Sequence, residues 1–294
     1  MKISEVIKNQ GKSLSFEFFP PNTPIGEDRL LERINRLNTF SPSFVSITQH
    51  AGPNTLERTR RFVGKIRQDT ALTVMPHMTC ADPGKTELAS VIEYYKGLDI
   101  ENILALRGDP EEYGTDTFDG KIHYCYAADL VKFIADYKNF CIGVAVYPEG
   151  HPESSNLGID TAHTKMKIGQ GAYFGITQMF FENFHYYQMM DRFLQDGIDI
   201  PVIAGIMPIT DFQQVERYAE AGGVELPIPL ITKFEELEDP YDVIRAGIDL
   251  ATEQCIDLWD NGVRCFHFFT LNRDESITRI LDNLAPIFGI NKPN

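Results

Sequence analysis

Leu14-Ser15-Phe16-Glu17-Phe18-Phe19-Pro20 is the stretch that decides the fold, through its own character and through the turn and helix after it. The run is short, aromatic and strand-like, and a helical pattern begins soon afterwards. An open doubly wound sheet carries a Gly-rich phosphate loop after such a first strand. Here the turn reads Phe19-Pro20-Pro21-Asn22, nothing like GxGxxG. Seven further β-branched or aromatic runs come later, at 44–49, 72–80, 102–109, 141–149, 173–180, 201–208 and 264–271. Between them lie helical patterns at 27–37, 56–68, 86–96, 126–137, 186–195, 212–221 and 243–259, with apolar residues three and four apart. Eight βα repeats predict an α/β chain closed into a single (β/α)8 TIM barrel. No linker, low-complexity segment or composition shift divides residues 1–294, so one catalytic domain is expected.

Composition narrows the function. With 27 basic and 42 acidic residues the net charge is −15, which argues against general affinity for nucleic acid or anionic membrane. An anionic small molecule would need local cations or helix N-termini here. No apolar run approaches a membrane span and the start MKISEVIKNQGKSLSF lacks a signal-peptide pattern, so a cytoplasmic protein is expected. Cys80, Cys125, Cys141, Cys255 and Cys265 are odd in number and scattered, which reads as buried thiols in a reducing compartment. Cys80 with His77 has no second ligand pair, so no metal is expected. The acidic stretch Glu235-Glu236-Leu237-Glu238-Asp239 reads as a solvated loop joining two helices after strand seven.

TIM-barrel chemistry sits at the C-terminal ends of the strands. There the sequence offers Glu17, Thr48-Gln49-His50, His77, Arg107-Gly108-Asp109, Tyr147, Glu149, His151, Gln178, and Thr270 with Asn272 and Arg273. A carboxylate between Phe16 and Phe18 is expected to be desolvated with its pKa raised, as a general acid requires; the alternative is a structural pair with Arg or Lys across the barrel. His77 fits a satisfied core histidine as well as a ligand contact. Arg107-Gly108-Asp109 spells an adhesion tripeptide, but the apolar run before it holds it at the rim, where the glycine lets backbone approach a flat ligand.

Together these blocks become specific. Phe16-Glu17-Phe18-Phe19-Pro20-Pro21, Phe44-Val45-Ser46-Ile47-Thr48, Pro76-His77-Met78-Thr79-Cys80 and Ala105-Leu106-Arg107-Gly108-Asp109 resemble, in order, the methylenetetrahydrofolate reductases. So do Tyr147-Pro148-Glu149-Gly150-His151-Pro152, Ile176-Thr177-Gln178-Met179-Phe180-Phe181, Gly205-Ile206-Met207-Pro208-Ile209 and Phe269-Thr270-Leu271-Asn272-Arg273. The resemblance runs from strand one to strand eight.

The resemblance implies non-covalent FAD at the strand C-termini and a ping-pong reaction. NADH or NADPH reduces the flavin, and hydride then passes to 5,10-methylenetetrahydrofolate to give 5-methyltetrahydrofolate, which feeds methionine synthesis. It further implies that Glu17 is the general acid of imidazolidine ring opening and that Asp109 stabilises the iminium cation. Gln178, Gln214, Tyr218 and Arg273 fall on substrate-binding positions. Thr48, His77, Arg107, Gly108, Asp109, Tyr126, Ala127, Tyr147, His151, Asp160 and Lys167 fall on FAD-binding positions. At Tyr218 related bacterial sequences often carry Phe, so this chain keeps the aromatic face and adds a hydroxyl.

The sequence departs from the family at His163, where relatives tend to carry Asn, and at Met166, where they often carry Arg or Lys. Looser flavin binding is the expected result. The chain stops soon after the helix following strand eight, so no regulatory domain and no inhibition by S-adenosylmethionine are expected. Bacterial relatives are commonly homo-oligomers, and a homo-oligomer is expected here. Two rival readings remain. A flavin-free folate-binding barrel would be favoured by a colourless preparation that binds tetrahydrofolate. A non-catalytic docking subunit is the other, against which Glu17, Asp109 and Gln178 together argue.

Overall fold

A computed structural model describes residues 1–49, 55–80, 84–108 and 126–290. Eight strands lie in chain order: β1 (Ser13–Phe18), β2 (Phe44–Ile47), β3 (Val74–Thr79), β4 (Asn102–Leu106), β5 (Cys141–Val146), β6 (Ala172–Thr177), β7 (Val202–Ile206) and β8 (Cys265–Phe269). They form one closed parallel barrel in that order, β1 pairing with both β2 and β8. All eight runs expected from the sequence are strands, and the fold is the (β/α)8 TIM barrel. Thr48, Gln49, Arg107, Tyr147, Glu149, Gln178 and Thr270 lie just beyond the strands, where they form the rim.

Helices cover the outside: α2 (Pro24–Asn38), α3 (Thr55–Asp69), α4 (Lys85–Gly97), α5 (Ala127–Ala135), α6 (Leu157–Gly169), α7 (Asn183–Gln195), α8 (Phe212–Gly222), α9 (Ile228–Glu235), α10 (Pro240–Asp260) and α11 (Asp274–Phe288), with α1 (Ile3–Gln10) preceding β1. No helix among the described residues is long and apolar enough to cross a membrane. Helix α6 has no apolar stripe for a sequence reading to find, because Asp160, Thr161 and Thr164 are the residues it buries. The acidic stretch does join two helices: Asp239 caps α10, accepting from Tyr241 N at 2.8 Å.

Alternation along each strand builds two cores. Phe16 and Phe18 point outward with Val45, Ile47, Ile103 and Phe268 into the layer beneath the helices. Inside the lower barrel sit Phe44, Met75, Leu104, Cys141, Phe174, Ile203 and Cys265. Ile3 and Ile7 of α1 complete that inner cluster, so α1 closes the N-terminal mouth. Asn102 fastens it: Ile3 N donates to Asn102 Oδ1 at 2.8 Å, and Asn102 Nδ2 donates to Met1 O at 2.9 Å. Cys80, Cys141, Cys255 and Cys265 are buried thiols, as the sequence suggests, while Cys125 lies outside the described residues.

The long helix α10 approaches the segment after β7 so closely that a Cβ on Gly247 would lie 1.8 Å from Ile209 O and 2.7 Å from Ile209 C. Backbone cannot yield as a side-chain tip does. Gly247→Ala is expected to cost about 3 kcal/mol or more through overpacking, read as a lowered unfolding midpoint in denaturant. An unchanged midpoint would show that α10 shifts freely.

Candidate active site

Glu17 and Ser15 occupy inward positions of β1, and their register partner across the barrel seam is β8, with Ser15 opposite His267. The sequence around His267, Phe266-His267-Phe268, repeats the pattern Phe16-Glu17-Phe18: two outward phenylalanines and one inward polar side chain. Glu17 Oε2 lies 3.3 Å from His267 Nε2 and 3.3 Å from His77 Nε2. His267 Nδ1 is 2.8 Å from Ser15 Oγ, whose hydroxyl donates to Phe266 O at 3.2 Å. Since that hydroxyl's single proton is committed, Ser15 accepts from Nδ1–H. His267 Nε2 then faces Glu17 on one side and Ser46 Oγ, at 3.4 Å, on another. An imidazolium donates to the carboxylate, and a neutral imidazole accepts from the Ser46 hydroxyl. The cluster can therefore hold one exchangeable proton.

The charge on Glu17 is opposite to the sequence expectation. Burial pushes its carboxyl upward, but the charge of His77 and the contacts with His267 and His77 outweigh burial and hold it well below the usual carboxylate range. The error has a structural cause: Phe16 and Phe18 face away from Glu17, so they do not form its surroundings. Its partners are histidines, and no Arg or Lys crosses the barrel to it among the described residues. Burial also pushes His267 downward, against the hydrogen bond and charge of Glu17. Sequence reading missed Ser15 and His267, although the matched alternation in strands one and eight was the signal that could have found them.

The strand ends around Glu17 are locked. Thr270 Oγ1 donates to Glu17 O at 2.6 Å, and Asn272 bridges Phe19 twice, accepting from its N and donating to its O, each at 2.9 Å. Leu271 and Asn272 both have positive φ, 49° and 58°, a strained conformation for residues with side chains. The seam bonds offset that strain.

Thr48 Oγ1 and His77 Nε2 are buried and have no hydrogen-bond partner among the described residues. The 3.3 Å approach of His77 Nε2 to Glu17 is an ionic contact. Both atoms can hydrogen-bond a ligand at the mouth. Arg107 pairs through both terminal nitrogens with Glu153, and Gly108 follows at φ 82°. Tyr147 and His151 pack edge to face with centroids 4.8 Å apart, and His151 N donates to Asp160 Oδ1 at 3.1 Å. Lys167 Nζ donates to Ala145 O at 2.6 Å; burial lowers its pKa to about 8, partly countered by Asp160. Tyr126 is exposed and Ala127 half-buried at the start of α5, while His163 and Met166 are exposed on α6.

Of the substrate candidates, Gln214 and Tyr218 pair with each other, while Gln178 and Arg273 bind other residues. Gln178 Oε1 accepts from Met179 N at 2.9 Å, and its Nε2 lies so near Gly222 of α8 that an added Cβ would be 3.0 Å away. On the same helix Gln214 Nε2 donates to Tyr218 OH at 3.1 Å. Arg273 binds Thr210 Oγ1 at 2.8 Å beside the β8 lock. Asp109 lies outside the described residues.

Comparison with known proteins gives a consistent answer. The family model described as methylenetetrahydrofolate reductase matches residues 2–285. The 5,10-methylenetetrahydrofolate reductase of Pectobacterium carotovorum is 38% identical over 269 residues, covering 90% of this chain and 88% of that protein. Its Escherichia coli counterpart is 37% identical over 275 residues, covering 93% and 90%. Among solved structures, an uncharacterized Clostridium thermocellum protein that binds two copies of 5-methyl-5,6,7,8-tetrahydrofolic acid superposes with a TM-score of 0.70 at 14% identity, covering 98% of this chain and 99% of that one, a likeness of fold. A barrel with this polar cluster at its strand ends, matched along almost its whole length, belongs to the methylenetetrahydrofolate reductase family.

Proposed function

We propose that this chain reduces 5,10-methylenetetrahydrofolate to 5-methyltetrahydrofolate with NADH or NADPH as donor and FAD as cofactor. The observation that carries this reading is the Ser15–His267–Glu17–His77 cluster at the C-terminal end of the barrel. The reaction adds a hydride to the one-carbon unit and a proton to the nitrogen that leaves when the imidazolidine ring opens. A buried site reached from the mouth must hold that proton before the folate arrives.

The residues fit FAD, because the unsatisfied Thr48 hydroxyl and His77 Nε2 are what a ring bearing several hydrogen-bonding atoms would satisfy. Arg107, Gly108, Tyr126, Ala127, Tyr147, His151, Asp160 and Lys167 would hold the rest of the group, with Lys167 and Arg107 supplying charge for its pyrophosphate. When bound, FAD supplies two-electron transfer between the nicotinamide and the folate carbon. In its protonated form His267 holds a proton on Nε2, Ser15 fixes the ring through Nδ1, and Glu17, anionic at rest, passes that proton to the leaving nitrogen. Gln178, Gln214, Tyr218 and Arg273 orient substrate, and Asp109 is assigned the charge facing the iminium cation. A cytoplasmic, homo-oligomeric state is proposed for this chain as well.

Glu17→Gln is expected to slow folate reduction by about 10²–10⁴-fold, the usual worth of a positioned acid, while NADH still bleaches the bound flavin. Equal loss in both half-reactions would make Glu17 structural. In the unmutated enzyme the folate step should weaken as pH rises, because the proton leaves His267, whose pKa burial holds below histidine's ordinary value. A folate step that quickens over that range would place the proton elsewhere.

FAD retention should also depend on pH. Below its pKa of about 8 Lys167 carries a positive charge toward the pyrophosphate, and above it the lysine is neutral. Dissociation constants measured by flavin fluorescence are expected to rise on going from pH 7 to 9, and Lys167→Met should bind weakly at both. A Lys167→Met profile that still follows the unmutated one would remove Lys167 from the cofactor site.

A further inference from the structure

A cavity of about 180 Å³ lies at the opposite end of the barrel from Glu17, beside α1, between the starts of β1 and β8 and the C-terminal ends of α10 and α11. Its walls are aromatic, including Phe40, Trp259, Phe266 and Phe288, and its polar side holds Lys12 and Arg264. Among the described residues no Asp or Glu lines it, in a chain whose 42 acidic residues outnumber 27 basic ones.

Both cations are fixed by the fold. Lys12 Nζ donates to Phe288 O at 3.2 Å, at the last turn of α11. Arg264 NH1 donates to Trp259 O and Val263 O, and its guanidinium lies 4.1 Å from the Trp259 ring centroid. Helix ends alone would explain one donor on each residue. They leave Lys12 with two further N–H groups and Arg264 with its other nitrogens, and neither makes an ion pair among the described residues. Trp259 is braced on its other side by Phe288, at 4.2 Å between centroids and 17° between planes, so the aromatic wall is rigid.

We propose that this cavity is a second ligand site, separate from the folate and flavin sites, which binds a small aromatic carboxylate. The ring lies against the Phe40, Phe266 and Phe288 side, and the carboxylate meets Lys12 and Arg264. Neutral rings gain the first interaction and lose the second. Two of the lining residues, Leu14 and Phe266, immediately precede Ser15 and His267 in their strands, so an occupant touches the two strands that carry the proton cluster.

Trp259 is the chain's single tryptophan, so its emission reports this cavity without interference from another indole. The holoenzyme is titrated with benzoate and, separately, with the uncharged benzamide. Benzoate is expected to change Trp259 emission saturably, at least tenfold more tightly than benzamide. Lys12→Gln should weaken benzoate at least fivefold and leave benzamide unchanged, and Lys12→Arg should restore it. Equal responses to the two probes, a linear response to benzoate, or coincident curves for the unmutated protein and Lys12→Gln would each overturn the site. The benzoate and benzamide comparison is made on the unmutated protein, so it decides the matter even if a variant folds poorly. Folate reduction is not part of the readout, so the two proposals fail separately.

Discussion

The ladder between β1 and β8 is the constraint on which the rest depends. It closes the barrel, and it also sets Ser15 opposite His267 and brings Glu17 within 3.3 Å of that imidazole. Strand side chains alternate, so a slip of one residue would turn Phe16 and Phe18 inward and Glu17 out beneath the helices. Thr270 and Asn272 pin that register with three hydrogen bonds across the seam, and the backbone at Leu271 and Asn272 accepts a left-handed conformation to do so. Barrel closure and assembly of the Glu17–His267 cluster are therefore one structural event.

The same geometry explains which parts of the molecule can be read from the sequence. Strands and most helices follow from composition and period, and Glu17 and His77 stand out as polar residues in apolar strands. The sign of the shift at Glu17 does not follow, because neighbours along a strand face opposite sides and the groups that set its charge come from β3 and β8. Helix α6 is hidden because the residues it buries are Asp160, Thr161 and Thr164 rather than an apolar stripe, with Asp160 accepting from His151 N at the rim. Ser15 and His267 require β1 and β8 to be read together, about 250 residues apart in the chain.

Charge compensation is the second theme. In a chain of net charge −15, the cations at the candidate flavin site already have acidic company: Arg107 meets Glu153, and Asp160 lies near Lys167. A dianionic pyrophosphate thus meets a region close to neutral. With His163 and Met166 exposed on α6, hydrogen bonds and helix ends would contribute more of the proposed cofactor's affinity than charge does.

The seam also bears on how the chain is made. Thr270 reaches Glu17 across 253 residues, while α1 finds its anchor at Asn102. During synthesis the plug can dock once β4 has left the ribosome, yet the proton cluster cannot exist until the last strand has emerged. Most of the barrel must wait in a partly paired state with β1 exposed at an open edge, the kind of intermediate on which chaperones act. Truncation before residue 265 would therefore remove the Glu17–His267 cluster together with the closure that protects the sheet from aggregation.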